Sequence, residues 1–184
     1  NTATISVPTS TTGTFTYALV SVQDASATAC SASVTGSATV TVVPDHSISL
    51  SSASTTNAQT VCSTKPITNI TYTLGGGATG ANVVFSPAIP GVTSSVAGTT
   101  VTIQGSPTTA GSYSYTITTT GNACATASAT GTIDVLQTPA VQLNAVAGRF
   151  AEQPSFQMTG NPAGGVFSGP GVNGTGLFNP AVSG

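Results

Sequence analysis

Few side chains in this sequence can do acid–base or nucleophilic chemistry. A hydrolytic triad needs a nucleophile, a base and an orienting acid, and His46 is the only histidine in the 184 residues. Its neighbour Asp45 follows Pro44, so we interpret Asp45 and His46 as a solvated pair in a linker. The carboxylates are too scattered for the paired acids of glycoside hydrolysis; they are Asp24, Asp45, Asp134 and Glu152. We therefore expect no catalytic residue, no cofactor and no enzymatic activity.

Metal and phosphate sites are equally difficult to assemble. Calcium sites between tandem sandwich domains gather several carboxylates, whereas the first predicted junction offers Asp45 and the second offers Asp134 with the distant Glu152. A dry or water-mediated junction is therefore favoured over a weak calcium site. The glycines at 75–77 and within 164–176 precede neither a helix nor a Lys-Ser or Lys-Thr pair, which favours turns over phosphate-binding loops.

The composition excludes several classes of partner. Charged residues make up 3% of the chain, against about 25% in ordinary soluble domains, so Ser and Thr take the positions where Lys and Glu normally face water. The formal net charge is −2, with Lys65 and Arg149 the only basic residues, which removes the electrostatic basis for binding nucleic acid or an anionic membrane. No stretch reaches the ~18 apolar residues of a transmembrane helix, and no export signal opens the chain. We expect the sequence to be an excerpt of a longer protein.

One alternating pattern occurs twice and organises the rest of the chain. Its better-defined copy has Tyr113 and Tyr115 on one face of a predicted strand, a turn at Gly121-Asn122, and a second alternating run. The second copy comprises Gly111, Tyr113, Tyr115, Ile117, Cys124, Ile133 and Val135, and the first comprises Gly13, Phe15, Tyr17, Leu19, Cys30, Val40 and Val42. The sequence therefore predicts that one β-hairpin is present twice.

Around these hairpins, the strand patterns divide the chain into three modules. Residues 1–44 hold the last three strands of a repeat, including one at 1–7; residues 45–136 form a complete repeat; residues 137–184 begin a third, glycine-rich repeat. The complete repeat has about seven short strands in ~90 residues, the strand density of an immunoglobulin-like sandwich. We predict an all-β protein of tandem immunoglobulin-like β-sandwich domains, with the first and last incomplete.

The tyrosines fall on alternating positions that should face the sandwich interior, with one forming a tyrosine corner. They are Tyr17, Tyr72, Tyr113 and Tyr115. A sugar-stacking platform on the surface is the less favoured interpretation of these rings.

Four stretches of the middle repeat carry a resemblance to a known group: Val61-Cys62, Ile70-Thr71-Tyr72, 101–107 and 110–113. They resemble the immunoglobulin-like and PKD-like repeats of large Bacteroidetes cell-surface proteins, whose best-known bearers are gliding-motility adhesins exported by type IX secretion. The third module resembles a companion repeat, with Asn-Pro-Ala-Gly-Gly-Val-Phe-Ser-Gly at 161–169 and a later Phe178-Asn179-Pro180. It departs from that repeat at Arg149, near where a cysteine is expected.

The resemblance implies an extracellular, cell-surface protein associated with the outer membrane. Its partners would be the neighbouring repeats of the same chain and, for the whole protein, the secretion and gliding machinery; a surface or glycan ligand is not indicated by these residues. The predicted function is a non-enzymatic stalk or spacer of an adhesin, because short linkers containing Pro limit the relative motion of successive modules. The alternative is a carbohydrate-binding accessory region of a secreted polysaccharide-degrading enzyme, against which the absence of Trp counts.

An exported chain would meet oxidising surroundings, so we also predict a structural disulfide between Cys62 and Cys124. Cys30 matches Cys124 and would pair with a residue outside these 184. One argument opposes the disulfide: strands that alternate simply in direction put Cys62 and Cys124 at opposite ends of the sandwich, beyond the ~4.4–6.8 Å between Cα atoms that a disulfide allows. The pair then requires Cys62 on a detour of the 51–66 connection, or Cys124 drawn into the sheet.

Overall fold

The computed structural model describes residues 4–25 and 27–182. Regular structure in these ranges consists of β-strands and one short 3₁₀ helix, which confirms the predicted all-β class. Neither range contains a helix with the length and apolar character needed to cross a membrane. The described residues up to Leu136 form one compact unit, and those from Gln137 onward form a second.

The first module is a long hairpin with an interruption. Its strands are β1 (Gly13–Ala18), β2 (Ser21–Gln23), β3 (Ser31–Ser33) and β4 (Ser37–Val42). β1 pairs antiparallel with β4, and β2 with β3, while a hydrogen bond from the Leu19 amide to the Gly36 carbonyl continues the ladder between them. Of the strand predicted at 1–7, residues 1–3 lie outside the described residues and residues 4–7 have no regular structure.

The middle repeat is a sandwich of two four-stranded sheets. Its strands are β5 (Ser47–Leu50), β6 (Ala58–Cys62), β7 (Ile70–Gly75), β8 (Ala78–Ser86), β9 (Val92–Ala97), β10 (Thr100–Gly105), β11 (Gly111–Gly121) and β12 (Ser128–Leu136). One sheet has the order β5-β7-β10-β9 and the other β6-β12-β11-β8. All neighbours are antiparallel except β6 and β12. Apart from β6, this is the strand arrangement of an immunoglobulin sandwich. When the other seven strands are counted in chain order, the first, second, fifth and fourth form one sheet, and the third, sixth and seventh form the other.

The two hairpins have the same register, which confirms that one hairpin is present twice. The matching pairs are Gly13 with Val42 and Gly111 with Val135, Phe15 with Val40 and Tyr113 with Ile133, and Tyr17 with Ala38 and Tyr115 with Gly131. The copies differ in their surroundings. β11 and β12 lie in the middle of a sheet, whereas β1 and β4 pair only with each other among the described strands.

The hydrophobic core lies between the two sheets of the middle repeat. The most deeply buried apolar side chains come from both sheets: Ile70, Tyr72, Leu74, Val101 and Ile103 from one, and Tyr115, Ile117, Ile133 and Val135 from the other. They alternate with exposed or half-buried residues, mostly Ser and Thr, as a sheet with one buried face requires. Fully burying a side chain of this size stabilises the fold by about 1.5–3 kcal/mol.

The middle repeat has eight strands rather than about seven, because β6 was not predicted. Its five residues pair in parallel with the end of β12, which is the one strand beside β6 in the sheet. The Gln59 side chain also ties β6 to the chain ahead of β7: its amide nitrogen donates to the carbonyls of Thr56 and Thr68, each at 2.7 Å, and its oxygen accepts from the Thr68 amide at 2.8 Å.

Residues 137–182 contain four two-residue strands and the 3₁₀ helix. They are β13 (Gln142–Leu143), β14 (Phe156–Gln157), β15 (Gly160–Asn161), β16 (Leu177–Phe178) and the helix Pro180–Val182. β13 pairs with β15 and β14 with β16. Gly164, Gly171 and Gly176 have positive φ angles of 94°, 70° and 90°, in keeping with turns, as predicted for the glycine-rich stretch.

Candidate functional site

Several of the residues whose side chains could do acid–base or nucleophilic chemistry meet at the junction between the first and middle modules. Residues 43–46, here called the junction segment, contact the loop that follows β11. The His46 amide donates to the Ala125 carbonyl at 3.0 Å, and the Ala125 amide donates to Asp45 Oδ1 at 3.3 Å. The Cys124 thiol donates to the Val43 carbonyl at 3.8 Å. Three contacts, made by Val43, Asp45 and His46, therefore hold the junction segment against one loop.

The opposite side of the junction segment is covered by the turn between β7 and β8. At Gly76, which has a φ of 68°, a Cβ atom would overlap the Asp45 carbonyl. At Gly77 a Cβ would crowd the Asn122 side chain and the Pro44 carbonyl. The glycines predicted to form a bend thus also allow the backbone of the junction segment to approach this closely.

His46 is buried, with 7% of its surface exposed, so its interpretation as part of a solvated linker pair is wrong. Asp45, in contrast, is exposed. Burial of the imidazole is possible because both ring nitrogens have partners at 3.0 Å: Nδ1 meets Thr119 Oγ1, and Nε2 meets Asn122 Oδ1. Burial of His46 was not predictable from the sequence, because Thr119 and Asn122 lie more than 70 residues away and Thr is common throughout the chain.

The hydrogen-bond partners determine which ring nitrogen carries hydrogen. Asn122 Oδ1 accepts from the Cys124 amide at 3.0 Å, which identifies that atom as the oxygen of the side chain. Because an amide oxygen can only accept, His46 Nε2 must be protonated. Thr119 Oγ1 also accepts from the Ala127 amide at 2.8 Å and lies 3.2 Å from the Ala127 carbonyl. The Thr119 hydroxyl can donate its hydrogen either to that carbonyl or to His46 Nδ1.

Thr119, His46 and Asn122 stand in the order of a nucleophile, a base and an orienting amide. Such a constellation works only if the nucleophile can reach a substrate. Thr119 has no exposed surface, and its hydroxyl is engaged by the Ala127 backbone. The arrangement is therefore suited to fixing the junction segment rather than to attacking a substrate.

The predicted Cys62–Cys124 disulfide is absent from the structure, in which Cys30, Cys62 and Cys124 are all free thiols. The reason is strand direction. Cys62 lies opposite Leu136 at the end of β12, whereas Cys124 precedes the first residue of that strand, Ser128. At about 3.3 Å per residue, β12 separates the two sites by far more than a disulfide spans. Cys62 does lie on a detour of the 51–66 connection, but the detour leads to the wrong end of the sheet.

Within residues 4–25 and 27–182, no three His, Cys, Asp or Glu side chains come together in a way that could hold a metal ion.

The tyrosines of the middle repeat are core residues, and one forms the predicted tyrosine corner. The Tyr113 hydroxyl donates to the Thr109 carbonyl at 3.0 Å, just before β11. The hydroxyls of Tyr72 and Tyr115 lie 3.1 Å apart inside the sandwich, and their rings meet edge to face at 6.4 Å. Burial raises the pKa of Tyr115 above its ordinary value of 10.0, and the hydrogen bond and charge interaction with Tyr72 raise it further.

The third module has a separate cavity of about 460 Å³, lined mainly by apolar residues that include Phe156, Met158 and Phe178. Arg149 places its guanidinium 4.3 Å from the centre of the Phe156 ring. Where the resemblance led us to expect a cysteine, the chain thus has a cation packed on an aromatic face.

Comparison with known proteins adds little to these observations. No protein-family model matches the chain, and no curated protein matches it. Among solved structures, it is similar to domains 4 and 5 of the S-layer protein SbsC, at 19% identity and a TM-score of 0.38, covering 58% of this chain and 55% of that one. It is also similar to a complex of titin M10 with an obscurin-like 1 immunoglobulin domain, at 20% identity and a TM-score of 0.33, covering 44% of this chain and 86% of that one. The chain thus spans about half the length of the S-layer structure. At these scores the fold assignment rests on the strand order and register of the middle repeat alone.

Proposed function

We propose that this chain is a stalk segment of a large cell-surface adhesin, in which tandem β-sandwich repeats act as a non-enzymatic spacer. The observation that supports the proposal best is the fixed junction segment. Its backbone contacts the loop after β11, and the buried ring of His46 ties it to Thr119 and Asn122. A linker held in this way restricts bending between modules, which a spacer needs in order to keep its reach.

The surface of the middle repeat also favours a spacer over a binding module. Its outward positions are mostly Ser and Thr, whose hydrogen bonds compete with water and contribute little net free energy. Its tyrosines, which a sugar-binding face would present to solvent, are buried instead. The carbohydrate-binding accessory region therefore receives no support from the exposed side chains of this repeat.

The experiment that tests the spacer is a module exchange in the protein that carries this chain. Replacing residues 45–136 with an unrelated β-sandwich of equal length should preserve adhesion, because only length and stiffness are required. Deleting the repeat together with its neighbours should weaken adhesion by reducing reach. Loss of adhesion in the equal-length exchange would contradict the proposal.

A glycan array tests the alternative directly. The 184-residue chain should show no saturable binding to any glycan. Binding that is lost when surface residues of the middle repeat are changed would replace the spacer by the carbohydrate-binding function.

By resemblance, we extend the proposal to an extracellular location at the outer membrane, export by type IX secretion, and transport of the whole protein by a gliding motor. Surface protease digestion of intact cells tests the location, and deletion of the secretion machinery tests the route. Retention of the protein inside otherwise intact cells would contradict both.

A further inference from the structure

One turn of the third module places a nucleophile beside an electrophile in adjacent residues. Asn173-Gly174 is the one Asn-Gly pair in the 184 residues, and both residues are exposed. In such a pair the backbone nitrogen of the glycine can attack the side-chain carbon of the asparagine, because glycine has no Cβ to obstruct the approach. Whether the attack is promoted depends on what surrounds the Asn173 amide group.

Three hydrogen-bond donors surround the side-chain oxygen of Asn173. Oδ1 accepts from the Thr175 hydroxyl at 2.8 Å, from the Leu177 amide at 2.9 Å and from the Thr175 amide at 3.1 Å. Two of these donors are backbone N–H groups, which identifies the atom as the oxygen of the side chain. All three donors lie within four residues of Asn173, so the arrangement belongs to the turn itself.

The attacking nitrogen is not engaged by the same turn. The Gly174 carbonyl accepts from the Phe167 amide at 3.2 Å, but within the described ranges the Gly174 amide donates no hydrogen bond. Solvent hydroxide can therefore remove its proton. Attack on Cγ of Asn173 then moves negative charge onto Oδ1, where the three donors already lie. Donors placed where negative charge develops lower the barrier of such a step, as in an oxyanion hole.

We propose that this turn promotes the conversion of Asn173 to aspartate and isoaspartate. Gly174 loses its amide proton to hydroxide and its nitrogen bonds to Cγ. The bond from Cγ to Nδ2 then breaks, and the nitrogen takes up a proton from water and leaves as ammonia. Water opens the resulting cyclic imide at either of its two carbonyls, which gives aspartate or isoaspartate and one additional negative charge. The reaction occurs once per chain, so it is a self-modification without turnover, and it is independent of the spacer function.

The two products should affect the module in opposite ways. Aspartate presents carboxylate oxygens to the same three donors, and charge-assisted hydrogen bonds are the stronger ones. Isoaspartate adds a methylene group to the main chain before Gly174 and moves the acceptor away from the Leu177 amide. Leu177 pairs with Gln157 between β14 and β16, so the isoaspartate product should loosen that pair.

The experiment compares the 184-residue chain in buffer and in guanidinium chloride, both at pH 8. Peptide mapping by mass spectrometry follows the change from amide to acid at residue 173, and the released ammonia is measured in parallel. The folded chain should convert about ten-fold faster than the unfolded chain, because only the folded turn gathers the three donors.

Variants of the turn separate its contribution from the ordinary reactivity of an Asn-Gly pair. Thr175→Val removes the hydroxyl donor and keeps the backbone amide, and it should slow conversion of the folded chain about five-fold. Thr175→Ser is the matched control, because it keeps the hydroxyl, and it should change the rate less than about two-fold. Gly174→Ala fits the turn, since its Cβ would meet only Val166 Cγ1 at 3.8 Å. It should slow conversion in both states by crowding the attacking nitrogen.

Two results would overturn the proposal. If the unfolded chain converts as fast as the folded chain, or faster, the turn does not promote the reaction. If Thr175→Val and Thr175→Ser convert at equal rates when folded, the hydroxyl donor has no part in it. Hydrogen exchange at residues 173–178 checks that both variants keep the turn, and the comparison of folded with unfolded chain requires no variant. Neither outcome bears on adhesion or reach, which test the spacer.

Discussion

At the scale of single residues, the chain has little charge and relies on buried neutral hydrogen bonds. In the described residues, every buried side-chain nitrogen or oxygen has a hydrogen-bond partner. Among the described residues, a ring with a polar atom is buried and hydrogen-bonded in three places: His46 with Thr119 and Asn122, Tyr72 with Tyr115, and Tyr113 with the Thr109 carbonyl. Removing one member takes a hydrogen bond from each of its partners in a poorly hydrated site, which costs free energy of folding.

We expect His46→Ala to destabilise the chain by about 2–3 kcal/mol, because it removes the two ring hydrogen bonds to Thr119 and Asn122 and leaves a cavity at the junction. The measurement is urea unfolding followed by circular dichroism. Asp45→Asn is the matched control: it keeps the oxygen that accepts from Ala125 on an exposed side chain, so its effect should stay below about 0.5 kcal/mol. Equal effects of the two substitutions would show that His46 does not hold the junction.

The raised pKa of Tyr115 predicts a loss of stability in alkali. The folded state keeps the Tyr115 phenol neutral, whereas in the unfolded chain this phenol ionises from about pH 10 upward. The contribution of Tyr115 to the free energy of unfolding is therefore complete below pH 10 and declines above it. The slope from one such group is about 1.4 kcal/mol per pH unit. Unfolding free energies between pH 9 and 11.5 should show it.

Tyr115→Phe is the control for this slope. The substitution should lower the free energy of unfolding by about 1 kcal/mol at pH 7, because the Tyr72 hydroxyl loses its partner. Above pH 10 it should remove from the slope of unfolding free energy against pH the part that corresponds to one proton. An unchanged slope in the variant would assign the decline to other groups.

The count of free thiols follows from the opposite positions of Cys62 and Cys124 along β12. Titration of the unfolded chain with a thiol reagent, without reductant, should detect all three cysteines. One thiol per chain would instead mean that the sheet containing β6 and β12 is arranged differently. Cys30→Ser should reduce the count by one and serves to calibrate the assay.

At the scale of the elements, the strands with strict alternation were predictable and the others were not. Polar residues, mostly Ser and Thr, alternate with apolar or small residues in β4, β11 and β12 over six to eleven positions. For all three strands the sequence predicted which alternate residues share the apolar face. β6 is five residues long, lies inside a predicted connection and pairs in parallel with β12, so neither a long alternation nor a hairpin turn to its partner marks it in the sequence. The burial of His46 was missed for a related reason, since it depends on partners brought close only by the complete sandwich.

The Gln59 bridge predicts how β6 is kept in place. Gln59→Ala removes three hydrogen bonds to the backbone of Thr56 and Thr68 and should destabilise the middle repeat by about 1–3 kcal/mol. Gln104→Ala is the matched control, because that side chain makes one long contact, 3.5 Å from Asn69, and its loss should cost less than about 0.5 kcal/mol. Urea unfolding measures both. If the two substitutions lower the free energy of unfolding by the same amount, Gln59 is not needed to keep β6 in place.

At the scale of the whole molecule, the modules differ in how completely their hairpins are enclosed. The middle repeat surrounds its hairpin with β6, β8 and a facing sheet, whereas the first module presents the same hairpin with an apolar face exposed. The sequence predicted this difference from the number of strand patterns in each module. It could not predict that the junction segment would be held to the loop after β11, because those contacts are made mainly by backbone groups, which carry no residue signature.

The parallel pairing of β6 with β12 has a mechanical consequence. The chain enters β6 from the side of the junction segment and leaves the repeat at the end of β12, so tension on the two ends pulls these parallel strands in opposite directions along their axes. All five residue pairs then bear load together, in shear, instead of opening one after another. Single-molecule stretching should therefore find that Val61→Pro, in β6, lowers the unfolding force more than Ser94→Pro in the edge strand β9. The opposite ranking would place the load elsewhere.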